Sequence, residues 1–207
     1  MSFLARKQIL DFVGQKKLIT ENYNEEYVRE SSYDLQLGEE LYLVGEKTPI
    51  YLTDEEPFVS LPPGQFAILT CSETIDIPRN MMAFITLRSK YKFQGLVNIS
   101  GFHVDPSFQG VLRFGVQNVG PTDIHLKYRE PTFTIFFAEL TSDQIGPGRN
   151  GQNLKGIRLE DVQLLGGSNF TLSTLQKDVD RLRTLVNIYG AAAVSALVAL
   201  ILRVILH

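Results

Sequence analysis

Apolar residues at Leu4, Ile9, Leu10, Phe12 and Val13 recur at close to helical spacing ahead of Gly14. This predicts a short amphipathic N-terminal helix closed by a glycine cap. From about Leu41 the pattern changes to short β-branched and aromatic runs at 41–44, 49–52, 58–61, 65–70, 82–87, 96–99, 111–117, 123–126 and 133–140. Gly45, Pro62, Pro63, Gly64, Pro78, Gly110, Gly120, Pro121 and Pro131 stand between them. Short strands at that even spacing, punctuated by turn residues, predict an all-β sandwich or barrel. Leu112, Phe114 and Val116 alternate with Arg113 and Gln117, so one face of that strand enters the core and the other looks out or into a site.

Beyond residue 142 the chain turns to Gly, Asn, Ser and Asp, the composition of a connector. Leu172, Leu175, Val179, Leu182, Val186 and Tyr189 then recur at spacings of three and four, a short coiled-coil seam. The seam runs into Leu185 to Leu202, eighteen residues without a charge. As a helix they reach roughly 27 Å at 1.5 Å per residue, close to the ~30 Å of a bilayer's hydrocarbon core. One reading is a buried terminal helix. The other, which an all-round apolar helix at the end of a β-domain favours, is a single membrane anchor with Arg203 snorkelling at the far interface. Lys177, Arg181 and Arg183 before the apolar run, and the lack of an N-terminal signal sequence, put the β-domain on the cytoplasmic face of the membrane. The organisation expected is therefore a β-domain at 1–142, a linker at 143–171, and a coiled coil with membrane helix at 172–207.

Composition narrows the function. The 207 residues carry 20 Lys+Arg against 23 Asp+Glu, a net charge of -3, so no basic field awaits nucleic acid and an anionic ligand must be met by a local site. A single cysteine, Cys71, excludes an intramolecular disulfide and a cysteine zinc cluster. The three histidines, His103, His125 and His207, are scattered, and no metal site is expected from them.

Three segments combine turn chemistry with functional polar groups: Ser31 to Gly38 around Asp34, Leu87 to Gly95 opening on Arg88 and Ser89, and Gly101 to Gly110 around Asp105 and Pro106, followed by Asn118 to Gly120. In this order they resemble the motifs of the dCTP deaminase and dUTPase superfamily over about residues 1 to 142, closer to dCTP deaminase. The resemblance implies a mainly β, distorted β-barrel of jelly-roll-like dUTPase fold, a homotrimer with sites between subunits, and a pyrimidine deoxynucleoside triphosphate as ligand. It makes Asp34 part of a strand ending in Gly38. Arg88 and Ser89 at a strand end offer a charged fork, a hydroxyl and turn amides able to hold phosphates; the plainer reading of Arg88 is a surface ion pair. Asp105 is placed where a carboxylate faces the sugar and the nucleophilic water, or else it organises the Asp-Pro turn. Lys90, His103 and Gln117 complete the expected nucleotide contacts, His103 having a structural reading as well.

Departures from the family pattern matter as much. The glutamate that moves protons in dCTP deaminases falls at Gly115, and no carboxylate stands between Asp105 and Asp123. Without a general acid/base there, deamination loses a contribution of about 10²–10⁴-fold, so a binding protein without deaminase activity is expected. An arginine of the family pattern is Phe93 here. Two alternatives stand beside it: an active dUTP or dCTP diphosphohydrolase using Asp105, with Mg²⁺ carried by the phosphates, and a nucleotide sensor coupled to a membrane effector helix. The stretch from Arg149 to Lys155, with glycine and two cations, reads either as a phosphate-closing arm or as ordinary linker.

Overall fold

The alternation of Leu112, Phe114 and Val116 with Arg113 and Gln117 is carried into the fold residue by residue. A computed structural model of the chain describes residues 2–100, 102–141, 156, 157, 160 and 172–205. The first of its two units, Met1–Asn169, holds strands β1 (Ser2–Phe3), β2 (Leu18–Glu21), β3 (Tyr33–Leu43), β4 (Ile50–Tyr51), β5 (Phe58–Leu61), β6 (Phe66–Asp76), β7 (Met81–Leu87), β8 (Leu96–Asn98), β9 (His103–Val104), β10 (Gln109–Asn118), β11 (Ile124–Lys127) and β12 (Pro131–Glu139). Among the described residues two α-helices accompany them, α1 (Arg6–Gly14) and the single turn α2 (Ser89–Lys92), with a 3-10 turn at Glu25–Tyr27.

Every pairing among these strands is antiparallel. The main sheet runs β8-β10-β6-β3-β12-β7-β9 and β11 pairs with β5 apart from it. Mainly β is therefore the observed class, as a curled antiparallel sheet. β3 is the strand on which the sheet turns, bound to β6 along one edge and to β12 along the other. On β10, Leu112, Phe114 and Val116 are buried while Arg113, Gly115 and Gln117 share the outer face, and the ring of Phe114 stacks on Phe133 of β12 at 3.7 Å.

Two expectations need correction. The β-structure starts well before Leu41, and β3 runs straight through Gly38 instead of ending there. An added Cβ at Gly38 would lie 2.4 Å from Thr70 Oγ1 and 2.7 Å from the Cys71 carbonyl oxygen, so glycine is needed for the close approach of β6, not for strand termination. The N-terminal helix is present, but Gly14 is its last helical residue and not its cap. Lys16 N donates to Val13 O and Lys17 N to Phe12 O, the paired bonds of a Schellman ending. Lys16 takes the left-handed position, with φ 56°.

The second unit, Phe170–His207, is one helix, α3 (Leu172–Ile205), unbroken from the seam into the apolar run. Within its Asp178–Arg203 stretch eighteen consecutive residues reach a mean hydropathy of 2.2, and none of them is buried.

Candidate functional site

Arg88 closes β7 and begins α2, and β12 fixes it twice: its N–H donates to Thr132 O at 3.0 Å and its Nη1 to Pro131 O at 3.4 Å. The register that pairs Phe133 with Leu87 and Thr134 with Asp34 brings β3 alongside. Arg88 Nε then lies 3.5 Å from Asp34 Oδ2. The same oxygen accepts from Arg29 Nε at 2.8 Å, and the other carboxylate oxygen accepts from Thr134 Oγ1 at 2.8 Å. Arg88 therefore sits in an ion pair, but the partner is buried and shared, not a loose surface carboxylate. Beside it Lys90 pairs with Glu130, whose carboxylate holds the ammonium above its ordinary proton affinity. Ser89 opens the turn of α2.

The Asp-Pro segment is a tight turn. Phe108 N donates to Asp105 O at 3.3 Å and Ser107 N to Ile77 O at 3.0 Å, while Ser107 takes a φ of 63°. Proline at the second position and positive φ at the third are the marks of a type II turn. The turn-forming role of Asp105 is thus met by its backbone carbonyl, and the carboxylate projects from it half-exposed, with Oδ1 3.3 Å from His103 Nε2. The His103 ring meets Phe102 edge to face at 5.6 Å.

Arg88 and Asp105 do not meet within one chain. Val104 pairs with Ala83 near the start of β7, whereas Arg88 follows its end. The intervening residues put them at opposite ends of β7, about 20 Å apart along the strand at ~3.4 Å per residue. Gln117 stands on β10 opposite Val97 and Phe66, and its amide donates to Gly64 O at 3.2 Å.

At Gly115 an added Cβ would come 3.2 Å from Phe66 Cζ and 3.6 Å from Ser100 Cβ. The tip of the Phe66 ring would have to shift by a few tenths of an ångström to admit even that carbon. Asn118, fully buried, donates to Leu61 O and Thr122 O and accepts from Gly120 N, so it ties the end of β5 to the β10–β11 connection. Cys71 is buried with its thiol driven strongly towards the neutral form by desolvation, which suits a structural role. The stretch from Arg149 to Lys155 lies outside the described residues.

Sequence reasoning passed over Arg29, Phe66 and Glu73. Glu73 is fully buried on the core-facing side of β6 between Cys71 and Ile75, and accepts from Tyr33 Oη, Gln36 N and Gln36 Nε2 at 3.0–3.1 Å. Burial pushes its carboxyl up to about 7, against the donors that favour the charged form. A glutamate on the apolar face of an alternating run was the signal available.

The dCTP deaminase-like family model matches residues 3–140. The dCTP deaminase of Thermococcus kodakarensis is 30% identical over 150 residues, covering 72% of this chain and 94% of its own. That of Pyrococcus abyssi is 27% identical over 148 residues, covering 72% and 92%. Among solved structures, the 2'-deoxycytidine 5'-triphosphate deaminase from Agrobacterium tumefaciens superposes with a TM-score of 0.54 at 18% identity, over 65% of this chain and 48% of that one. That last likeness is one of fold.

Proposed function

The chain belongs to the dCTP deaminase-like family, and from that premise we propose that it binds a pyrimidine deoxynucleoside triphosphate without deaminating it. The observation that carries this reading is Gly115 itself: the position of the family's proton-moving glutamate has no carboxylate, and a Cβ added there would already crowd the tip of the Phe66 ring at 3.2 Å. Arg88, Ser89 and Lys90 hold the phosphates, and His103, Asp105 and Gln117 meet the nucleoside.

The site is built between copies of a homotrimer. The separation of Arg88 from Asp105 along β7 supports this, since a nucleotide touching both draws them from different subunits. So does an aromatic surface beside the Asp-Pro turn, where Phe84 stacks on Phe102 and Phe3 packs against Phe84 and Phe136. Phe3 and Phe102 are more than half exposed in the single chain, and further copies of this chain are the fitting cover. α3, about 51 Å long at 1.5 Å per residue, supplies three parallel helices for the assembly and then a membrane anchor through Leu185 to Leu202. The β-domain stays on the cytoplasmic side.

A second reading is favoured by the His103–Asp105 pair: hydrolysis of dUTP or dCTP, with Asp105 orienting water. In that reading Mg²⁺ enters on the nucleotide's own phosphates.

The deciding experiment incubates the full chain in mild detergent with dCTP, dUTP and Mg²⁺, follows ammonia and pyrophosphate, and measures binding. Binding without either product is expected. Ammonia from dCTP overturns the reading; pyrophosphate lost in Asp105→Asn moves it to the hydrolase.

A further inference from the structure

We infer that Arg29, outside every motif that carries the family resemblance, is a second arginine on the triphosphate, set beside Arg88 by the buried carboxylate of Asp34. This rests on the reading that Arg88 meets the phosphates. Arg29 Nε and Arg88 Nε approach the same Asp34 oxygen at 2.8 and 3.5 Å, so the two nitrogens are no more than about 6.3 Å apart. Asp34 carries one negative charge, is only 4% exposed, and has its other oxygen on Thr134. Two guanidinium groups share it, which leaves the cluster one positive charge in excess, and like charges this close are tolerated best when an anion completes the set.

The geometry favours an anion arriving from solvent. Arg29 spends its Nε on Asp34, and its side chain is still 49% exposed, against 35% for Arg88. A guanidinium has five N–H donors in a fixed fork; Arg29 spends its Nε on Asp34, and Arg88 its Nε on Asp34 and one Nη1 bond on Pro131 O, so each keeps donors of the kind that suits phosphate oxygens. The backbone around Arg29 is fixed as well. Its N–H donates to Ser32 O at 2.8 Å, Val28 bridges to Tyr33, and Arg6 holds the same turn through Val28 O and Glu30 O. Asp34 is thus a positioning residue, and Arg29 and Arg88 are the pair it aligns.

Arg29→Gln separates this role from mere support of Asp34. The glutamine amide nitrogen occupies the place of Arg29 Nε, so the donor to Asp34 is kept while the exposed fork and its charge are removed. The full chain in mild detergent is titrated with inorganic tripolyphosphate, dCTP and deoxycytidine at several salt concentrations, with Arg88→Gln in parallel. In Arg29→Gln, tripolyphosphate and dCTP binding are expected to weaken at least tenfold with a shallower salt dependence, and deoxycytidine binding to stay unchanged. Unchanged tripolyphosphate binding in Arg29→Gln, with a loss in Arg88→Gln, overturns the inference and leaves the Arg88 reading standing. No loss in either variant overturns both. Should Arg29→Gln fail to fold, phenylglyoxal modification of the unaltered protein gives the same decision: tripolyphosphate is expected to protect both arginines, and protection of Arg88 alone refutes the role of Arg29.

Discussion

Replacing Glu73 by glutamine should remove most of a pH dependence of stability that the fold builds into its core. Glu73 is fully buried and its carboxyl is pushed up to about 7, from an ordinary value of 4.5, because desolvation outweighs the hydrogen bonds from Gln36 and Tyr33. A carboxyl raised on folding binds its proton more tightly in the folded than in the unfolded chain. Its contribution is complete below about 4.5 and is lost as pH rises through about 7. At ~1.36 kcal/mol per pKa unit, the difference amounts to about 3 kcal/mol of stability lost across that window. Glutamine keeps the size and an acceptor oxygen but cannot ionise. Unfolding by urea, followed by the β-sheet circular dichroism of the full chain in mild detergent, should show unaltered protein losing about that much from pH 5 to pH 8 and Glu73→Gln losing far less. Equal slopes in the two proteins would refute the reasoning and mean that the Glu73 carboxylate is charged throughout, held by its donors.

Other positions give sharp expectations. Gly38→Ala should lower stability by more than about 2 kcal/mol in chemical denaturation, since its methyl meets the backbone of Cys71 at 2.7 Å in a close-packed sheet; a neutral result would mean that β3 and β6 separate freely. Lys16→Gly should raise stability by about 0.5–1 kcal/mol, because the left-handed cap costs a side chain about 1–2 kcal/mol and glycine's larger unfolded entropy returns part of it; an unchanged or lower denaturation midpoint would count against the cap assignment. Gly115→Glu should cost about 1–3 kcal/mol by crowding Phe66 and release no ammonia from dCTP; deamination on this single change would show that Phe66 yields. The full chain should sediment with membranes and resist carbonate extraction, and recovery as a soluble assembly without detergent would refute the anchor.

The parts of the fold that could be read from the sequence are those whose two faces differ. β10 alternates apolar and polar residues because one face meets the core and the other does not, and the β-branched and aromatic runs at 58–61, 82–87 and 133–140 fall on β5, β7 and β12. The first half of β3 hides for the opposite reason. Tyr33, Leu35 and Leu37 enter the core, but Asp34 and Gln36 between them are buried too, one by two arginines and the other by Glu73. Polar residues buried by partners distant in sequence look exposed until those partners are known. β1, β2 and β9 are two to four residues long and exist only as additions to the edges of longer strands.

The same distinction separates what could and could not be read of the site. Arg88 with Ser89 and Asp105 with Pro106 are local chemistry, and short spacing was enough to single them out. That Arg88 and Asp105 lie at opposite ends of β7, and that Arg29 joins Arg88 on Asp34, follows from the pairing of Phe133 with Leu87 and of Thr134 with Asp34. These registers tie residues about fifty to a hundred positions apart, which no local pattern encodes. The consequence reaches function. A motif inventory counts one arginine for the phosphates and treats Asp34 as a neighbour in its own segment. The register makes Asp34 the hub on which two cations are aligned, and it sets Arg88 and Asp105 at opposite ends of β7, which favours the proposed site between copies of the chain. A ligand that binds the isolated subunit as tightly as the assembly would therefore be an anion held at the arginine end alone, without its nucleoside at Asp105.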